Sequence, residues 1–381
     1  MATLETRWGR RLGWGLGAMA ALTVIATTTV GAPAVEGRPP PVCADATAGG
    51  AASADGTTGL TRAAWYRIEP VLANGARAAQ RLDVGVAGGP SWTIPLDAES
   101  FAGAPDDGRV VIGTDDGRRS TISVVDLARG CMRVVAVTTD VVRNAVLAAD
   151  GGAIIEHRVR RSDRADLGIW RRTTADGTSE RILAAVEPDA RFGITFLTTL
   201  QWATDGRHLG IASCGEVACR LRVLDTVGGS VRAVADPGLG ELVGLDADRA
   251  VMRGACRGLP CPILDVGLDG AHVSPLSDAA GTADLVVDDR GRAVVAFEHD
   301  GPGGPLSIVP LGGAATAAQR TDLPADLHIA DHDAVVAVDL PPGWVLLARP
   351  DAPDDPTAWI RDARVHRLAD GAIRRLDEVS P

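Results

Sequence analysis

The chain of 381 residues contains no lysine: all 38 of its basic residues are arginine. That absence excludes a Schiff-base lysine, the lysine of a phosphate-cradling G-x-x-x-x-G-K loop and the strand lysine of a protein kinase. Aromatic residues are scarce, with four Phe, one Tyr and eight Trp, so the core must be built mainly from Ala, Val and Leu. Hydrophobic residues make up 46% of the chain, enough for a substantial core. The length suits a large single-domain β fold or two ordinary domains. Positive charge is also in deficit. The formal net charge is −11, and residues 35–381 alone carry 35 arginines against 48 acidic residues, or −13. Such a surface repels phosphate backbones, and no basic stripe interleaved with aromatics offsets it, so nucleic acid is excluded as a partner. No G-x-S-x-G, H-E-x-x-H or G-x-G-x-x-G in strand–helix context occurs, which removes the commonest serine-hydrolase, zinc-protease and dinucleotide signatures. Long helical periodicity is missing from residue 60 onward.

The one long apolar run is N-terminal. Arg7, Arg10 and Arg11 precede an uncharged stretch over residues 12–30 that includes Leu12, Leu16, Met19, Leu22, Val24 and Ile25. Ala32-Pro33-Ala34 follows as an A-x-A cleavage pattern. The run exceeds the ~7–15 residues of a signal-peptide core and approaches the ~20 that span a bilayer. A cleaved signal peptide is favoured over a retained membrane anchor. Either places the remainder outside the cytoplasm, because the arginines stay inside. Cys43 follows Pro40-Pro41-Val42, which does not resemble a lipoprotein cleavage box. Residues 35–59 are rich in Pro, Gly, Ala and Ser and lack the apolar surface that would offset their ordering entropy. The expected organisation is a signal or anchor over 1–34, a linker over 35–59 and one β domain over 60–381.

What the chain has instead of helices is a repeat. Cys214/Cys219 and Cys256/Cys261 share one internal spacing and lie 42 residues apart. A period of roughly 40 to 45 residues is one four-stranded propeller blade. Turn signals recur without the cysteines, at Asp107-Gly108-Arg109, Asp150-Gly151, Asp205-Gly206-Arg207, Ala247, Asp289 and Asp331, each just before an apolar strand. A second series marks a later turn in each unit: Arg129-Gly130, Asp176-Gly177, Gly228-Gly229, Asp269-Gly270, Gly312-Gly313 and Asp370-Gly371. Turns of this kind need φ > 0, which Gly and Asp tolerate. The units run over 98–138, 139–190, 195–236, 237–279, 280–324 and 325–381. Three earlier strands, over 65–72, 81–87 and 92–96, form a further, incomplete unit that pairing of the two chain ends would complete. An all-β propeller of six or seven blades is predicted, with seven favoured.

A family resemblance supports this. Trp202-Ala203-Thr204-Asp205-Gly206-Arg207-His208-Leu209-Gly210-Ile211-Ala212 resembles the W-S-P-D-G-(K/R)-x-L-A-(F/V) repeat of TolB-type β-propellers. Val223-Leu224-Asp225-Thr226-Val227-Gly228-Gly229 is similar to the V-x-D-x-x-(T/G)-G stretch that closes it, and residues 124–130 make a partial second copy. Thr204 stands where the family has proline, and the fourth unit lacks the Trp. The resemblance implies the fold. The family hosts periplasmic scaffolds, peptidase propeller domains and lyases alike, so it implies no single activity.

Both Cys-x4-Cys pairs sit at the end of a second strand and the start of a third. Facing residues of an antiparallel pair come within disulfide reach, so a hairpin disulfide is expected in each unit. A four-cysteine zinc site is the rival reading, and an exported chain favours oxidation. Cys43 and Cys131 then remain and pair by elimination. In a propeller the loops joining second to third strands share one face. Here those are residues 160–168, the two clamped turns, 299–305 and 349–356. Their charged residues are the candidate binding set: Arg160, Arg161, Asp163, Arg164, Asp166, Glu216, Arg257, His299, Asp300, Asp351, Asp354 and Asp355. Charged loops on a rigid scaffold are where binding usually sits. Asp331-His332-Asp333 coincides with an expected turn and reads as solvated rather than as a metal site. No catalytic residue, cofactor or metal ligand is assigned, and the chain ends with the last unit, leaving no room for an appended hydrolase domain. The expected protein is an extracytoplasmic monomer, secreted or anchored to the outer face of the membrane. It would bind or scaffold a protein or a small polar or carbohydrate ligand on the clamped-loop face. The alternative is a carbohydrate-directed hydrolase or lyase with carboxylates near the central channel.

Overall fold

Strand follows strand along the chain, because β-branched and small apolar residues alternate between tight Asx and glycine turns. The computed structural model describes residues 39–43 and 63–379, apart from 74–75, 97–100, 104–107, 149, 186–196, 215–218, 235–238, 255–260, 270–271, 301–302, 313–318, 331–335 and 350–355. The proposed targeting segment and most of the linker lie outside the described residues. Among those described, no helix is long and apolar enough to cross a membrane.

The first sheet holds β1 (Ala64–Ala73), β2 (Ala76–Val86) and β3 (Ser91–Leu96). The second holds β4 (Phe101–Ala102), β5 (Arg109–Asp115), β6 (Ser120–Asp126) and β7 (Cys131–Thr138). The third is β8 (Val141–Leu147), β9 (Ala153–Val159), β10 (Asp166–Thr173) and β11 (Ser179–Leu183). The fourth is β12 (Leu197–Trp202), β13 (His208–Cys214), β14 (Cys219–Asp225) and β15 (Val231–Ala233). Each of these runs antiparallel, in chain order from one edge to the other.

A curled sheet of seven strands follows: β16 (Leu239–Leu245), β17 (Arg249–Gly254), β18 (Cys261–Gly267), β19 (Val273–Val287), β20 (Ala293–His299), β21 (Leu306–Pro310) and β22 (Gln319–Thr321). The 15-residue β19 joins its halves. The first part, up to Ala280, pairs with β18, and Ala283–Val287 pairs with β20.

The last sheet holds β23 (His328–Ile329), β25 (Trp344–Ala348), β26 (Arg364–Arg367) and β27 (Ile373–Arg375). Between β23 and β25 the chain makes a detour. β24 (Val336–Asp339) leaves its own sheet and pairs antiparallel with β1, from Ala64↔Asp339 to Arg67↔Val336, giving the first sheet its fourth strand. The fold is therefore an all-β propeller of five four-stranded blades plus the curled sheet, closed by this late strand. The turn expected at Asp331 lies outside the described residues. The apolar stretch after it is the closing strand rather than the second strand of the last unit, whose turn falls instead at Gly343 (φ +87°). One further difference is a short helix, α1 (Pro356–Asp362), at the end of the loop read as irregular.

The core is divided among apolar seams where neighbouring sheets face each other. Leu82 and Val84 meet Val110 and Ile112; Val111 and Ile122 meet Val142 and Ile154; Ile155 and Ile169 meet Leu209 and Leu224. Leu221 and Val223 meet Met252 and Val266, and Val294 and Ile308 meet Val345 and Leu347. Trp65 and Ala87 meet Leu346 and Val365, which closes the ring. A seventh seam lies within the curled sheet, where Val251 and Ile263 meet Val295 and Phe297. Small and β-branched side chains suit two flat sheets that must approach closely. Gly103, just after β4, shows how closely, since a Cβ there would lie 2.3 Å from the Ala145 carbonyl oxygen of the third sheet.

Candidate functional site on the loop face

The repeat motif itself is structural. Asp205 accepts hydrogen bonds from the backbone N–H groups of Arg207 and His208, and Gly206 takes φ +64°. Arg207 then reaches Asp225 at 2.9 and 2.6 Å, stapling the first turn to the second. Arg249 and Asp265 repeat the staple at 2.7 and 2.8 Å. The Trp202 indole N–H donates to the Leu147 carbonyl of the preceding sheet at 2.6 Å. These groups lie on the face opposite the candidate loops. A cleft of about 360 Å³ also opens on that opposite face, lined by Asp288, Asp289, Arg292, Ile308 and Leu368 among others. Its Asp288 is engaged by Arg292 at 2.9 Å and by the backbone N–H groups of Arg290 and Arg292.

On the candidate face, the loop after β9 meets the loop after β5. The Arg161 guanidinium donates to both Asp115 oxygens at 2.9 and 2.5 Å, and its Nε donates to the Thr139 carbonyl at 3.0 Å. Asp115 is 4% exposed and also accepts from Ser120 Oγ at 2.6 Å and Gly117 N–H at 2.8 Å. Burial raises the Asp115 pKa, but the hydrogen bonds from Arg161, Ser120 and Gly117 and the Arg161 charge outweigh it, so the carboxyl titrates below its ordinary range. Asp115 and Ser120 were not among the sequence candidates; the Asp115-Asp116-Gly117 turn between two apolar strands was the available signal. Arg160 pairs with Asp163 at 2.9 Å in the open, and Arg164 holds the positive φ of +60° that shapes this loop. Asp166 turns back to His157 Nε2 at 3.0 Å and accepts from Gly168 N–H at 2.7 Å.

Replacing Arg161 by methionine is expected to lower stability by about 2 kcal/mol at neutral pH, because it leaves a buried carboxylate short of two charged hydrogen bonds. The sign with pH follows from the depressed folded-state pKa. The contribution is complete above the unfolded aspartate value of about 3.9 and disappears as pH falls through the folded value. Urea melts at pH 7 and pH 3 check this, with the gap between parent and variant narrowing in acid.

Between the curled and last sheets, Glu298 is 1% exposed and accepts from Thr282 N–H, Ile329 N–H and His328 Nδ1 at 3.2, 3.2 and 3.1 Å. His299 faces outward beside it, 2.8 Å from Arg320, next to the exposed Asp300. The loop face thus gathers Arg160, Arg161, Asp163, Arg164 and Asp166 in one place, and His299 and Asp300 with Glu298 and His328 in another. Glu216, Arg257, Asp351, Asp354, Asp355 and the Asp331–Asp333 triplet lie outside the described residues. Among the described residues, no group of three or more His, Cys, Asp or Glu side chains could hold a metal ion.

Cys43 and Cys131 form a disulfide, with Cα atoms 4.9 Å apart, that ties the arm at 39–43 to the outer edge of β7. The arm pairs in parallel there, Cys43 N–H donating to the Met132 carbonyl at 3.0 Å and Met132 N–H to the Pro41 carbonyl at 2.8 Å. Cys214 and Cys219 face each other in the β13–β14 register; their side chains are outside the described residues. Cys261 is disulfide-bonded; Cys256 is outside the described residues.

Strand order, seams and repeat define a β-propeller. No protein-family model matches the chain, and no curated protein matches it. Among solved structures it is similar to TolB from Acinetobacter baumannii, at 15% identity over 66% of this chain and 62% of that one (TM-score 0.42). It is also similar to an oligogalacturonate lyase in complex with manganese, at 14% identity over 81% and 84% (TM-score 0.48). A third is oligopeptidase B from Leishmania major, at 11% identity over 82% and 48% (TM-score 0.49). The chain spans about three fifths of that TolB and about half of the oligopeptidase. The fold assignment rests on this chain's own strand order and seams.

Proposed function

We propose that the protein is an exported, seven-bladed propeller that serves as a binding or scaffolding module at the cell envelope. Seven blades are supported by β19, whose halves read as the outer strand of one unit and the inner strand of the next, and by the seven apolar seams. Export is supported by the Cys43–Cys131 disulfide, which suits an oxidising compartment, together with the N-terminal charge-and-apolar pattern. The ligand or partner, a protein or a small polar or carbohydrate molecule, meets the face of the second-to-third-strand loops. The observation that carries this reading is the Arg161–Asp115 pair. It spends its charges on holding two neighbouring loops rigid, which is what a preformed platform needs and what a catalytic carboxylate cannot do while so engaged. The facing Cα atoms of Cys214 and Cys219 and the bonded state of Cys261 support clamped turns on the same face.

A second reading, a carbohydrate-directed hydrolase or lyase, is favoured by the Glu298–His328 pair alone. A buried carboxylate on Nδ1 fixes the imidazole so that Nε2 faces outward as a base. Incubation with acidic and neutral oligosaccharides, followed by mass spectrometry, separates the two. Intact saccharides are expected. New reducing ends or unsaturated products that vanish in His328→Ala would replace the binding module with an enzyme.

A further inference from the structure

The seam between the third and fourth sheets holds buried donors that nothing in the described chain satisfies. Alternate residues of a strand point to opposite faces. On β14, Leu224 packs into this seam against Ile155 and Ile169, so Arg222 and Arg220 point into it as well. On β9, Ile155 sets the same direction for His157. All three polar residues lie toward the strand ends from which the candidate loops emerge, above the apolar floor.

Arg222 Nε and Nη2 are buried and have no hydrogen-bond partner among the described residues, and His157 Nδ1 is likewise buried and unpartnered. Burial and the like charge of Arg220 pull the Arg222 pKa below its ordinary value, against the opposing influence of Asp166. Buried guanidinium donors left unpaired are destabilising, and proteins rarely retain them without use. Nε and Nη2 are adjacent donors on one edge of the guanidinium, the fork that takes both oxygens of a carboxylate in parallel. Asp166, close enough to act on the Arg222 charge, repels a dianion such as phosphate or sulfate more strongly than it repels a monoanion. Where the neutral imidazole donates Nε2–H to Asp166, His157 Nδ1 is left as an acceptor that calls for a hydroxyl.

We propose that this seam binds a small hydroxy acid of the sugar-acid type, its carboxylate on the Arg222 fork and a hydroxyl donating to His157. The proposal names a ligand class for the binding-module reading and rests on it.

Thermal unfolding of the full chain, at matched ionic strength, tests this with D-glucuronate, glucose and sulfate as probes. At about 10 mM glucuronate a Tm rise of about 2 °C is expected for the parent, with no rise from glucose and less from sulfate. Arg222→Met should lose the glucuronate response while keeping or raising the unliganded Tm, because it removes an unpaired buried charge. Arg222→Lys should also lose most of the response, since a point charge cannot replace the fork. An absent response in the parent, an equal one in both variants, or a sulfate response exceeding that of glucuronate would overturn the proposal. So would a fall of several degrees in unliganded Arg222→Met, which would make Arg222 a structural partner. None of these outcomes bears on whether the loop face engages a macromolecular partner, so the broader reading would survive them.

Discussion

Glu156→Ala is expected to destabilise the protein by about 3–5 kcal/mol, among the largest losses of any single substitution in the fold. Glu156 is 0% exposed, in the seam between the second and third sheets. Its Oε1 accepts from Arg158 Nη2 at 2.5 Å and from Arg172 Nε at 2.9 Å. Arg158 in turn lies over the Trp170 ring, 4.2 Å from its centroid, and Arg172 Nη1 donates to the Gly177 carbonyl at 2.6 Å. Alanine would leave two guanidinium groups buried without their anion and open a cavity at the same point. The charges, not the volume, should dominate the loss. Replacing Glu156, Arg158 and Arg172 together by Leu, Met and Met should therefore recover most of it, because removing a whole buried charge cluster is often neutral. Equilibrium urea unfolding of both variants measures the difference. A loss below about 1 kcal/mol for Glu156→Ala would mean that water reaches the seam and solvates the arginines.

The double variant Cys43→Ala/Cys131→Ala is expected to lose about 4–5 kcal/mol. The bond closes a sequence separation of 88 residues, and loop-closure entropy in the unfolded chain grows with the logarithm of loop length. A hairpin bond between Cys214 and Cys219 closes a far smaller loop and should contribute only about 2 kcal/mol on the same model. The bond also does local work. The arm makes few backbone hydrogen bonds to β7, and Val42 at its centre is exposed, so without the disulfide the arm should detach while the propeller stays folded. Denaturant unfolding with and without reductant, alongside proteolysis near residue 43, separates the two effects. Equal losses from the long and short bridges would contradict the entropic account.

The architecture was legible in the sequence because its determinants are local. Asp205, Gly206 and Arg207 shape one turn, Asp225 closes the next, and Trp202 reports a sheet seam, all within one 42-residue period. The closing strand was not legible. Val336–Asp339 has the composition of any short strand, and only its partner β1, more than 260 residues earlier, distinguishes it. The site followed the same division. Turn chemistry located Arg160–Asp163, but Arg161's partner Asp115 lies 46 residues away. Glu156, Glu298 and Arg222 read in the sequence as ordinary polar strand positions. Strand alternation tells which residues share a face but not whether that face meets water or another sheet, so buried charges were the class of residue it missed.

The loop face as the binding face is tested most directly by site-specific photo-crosslinking in intact cells. A photoreactive residue at Ser162, exposed on the loop after β9, should give a discrete covalent adduct in the envelope fraction. The same residue at Val227, 79% exposed on the opposite face, should give none. Adducts from Val227 with none from Ser162 would contradict the assignment and move the binding surface to the face of the Asp-Gly turns.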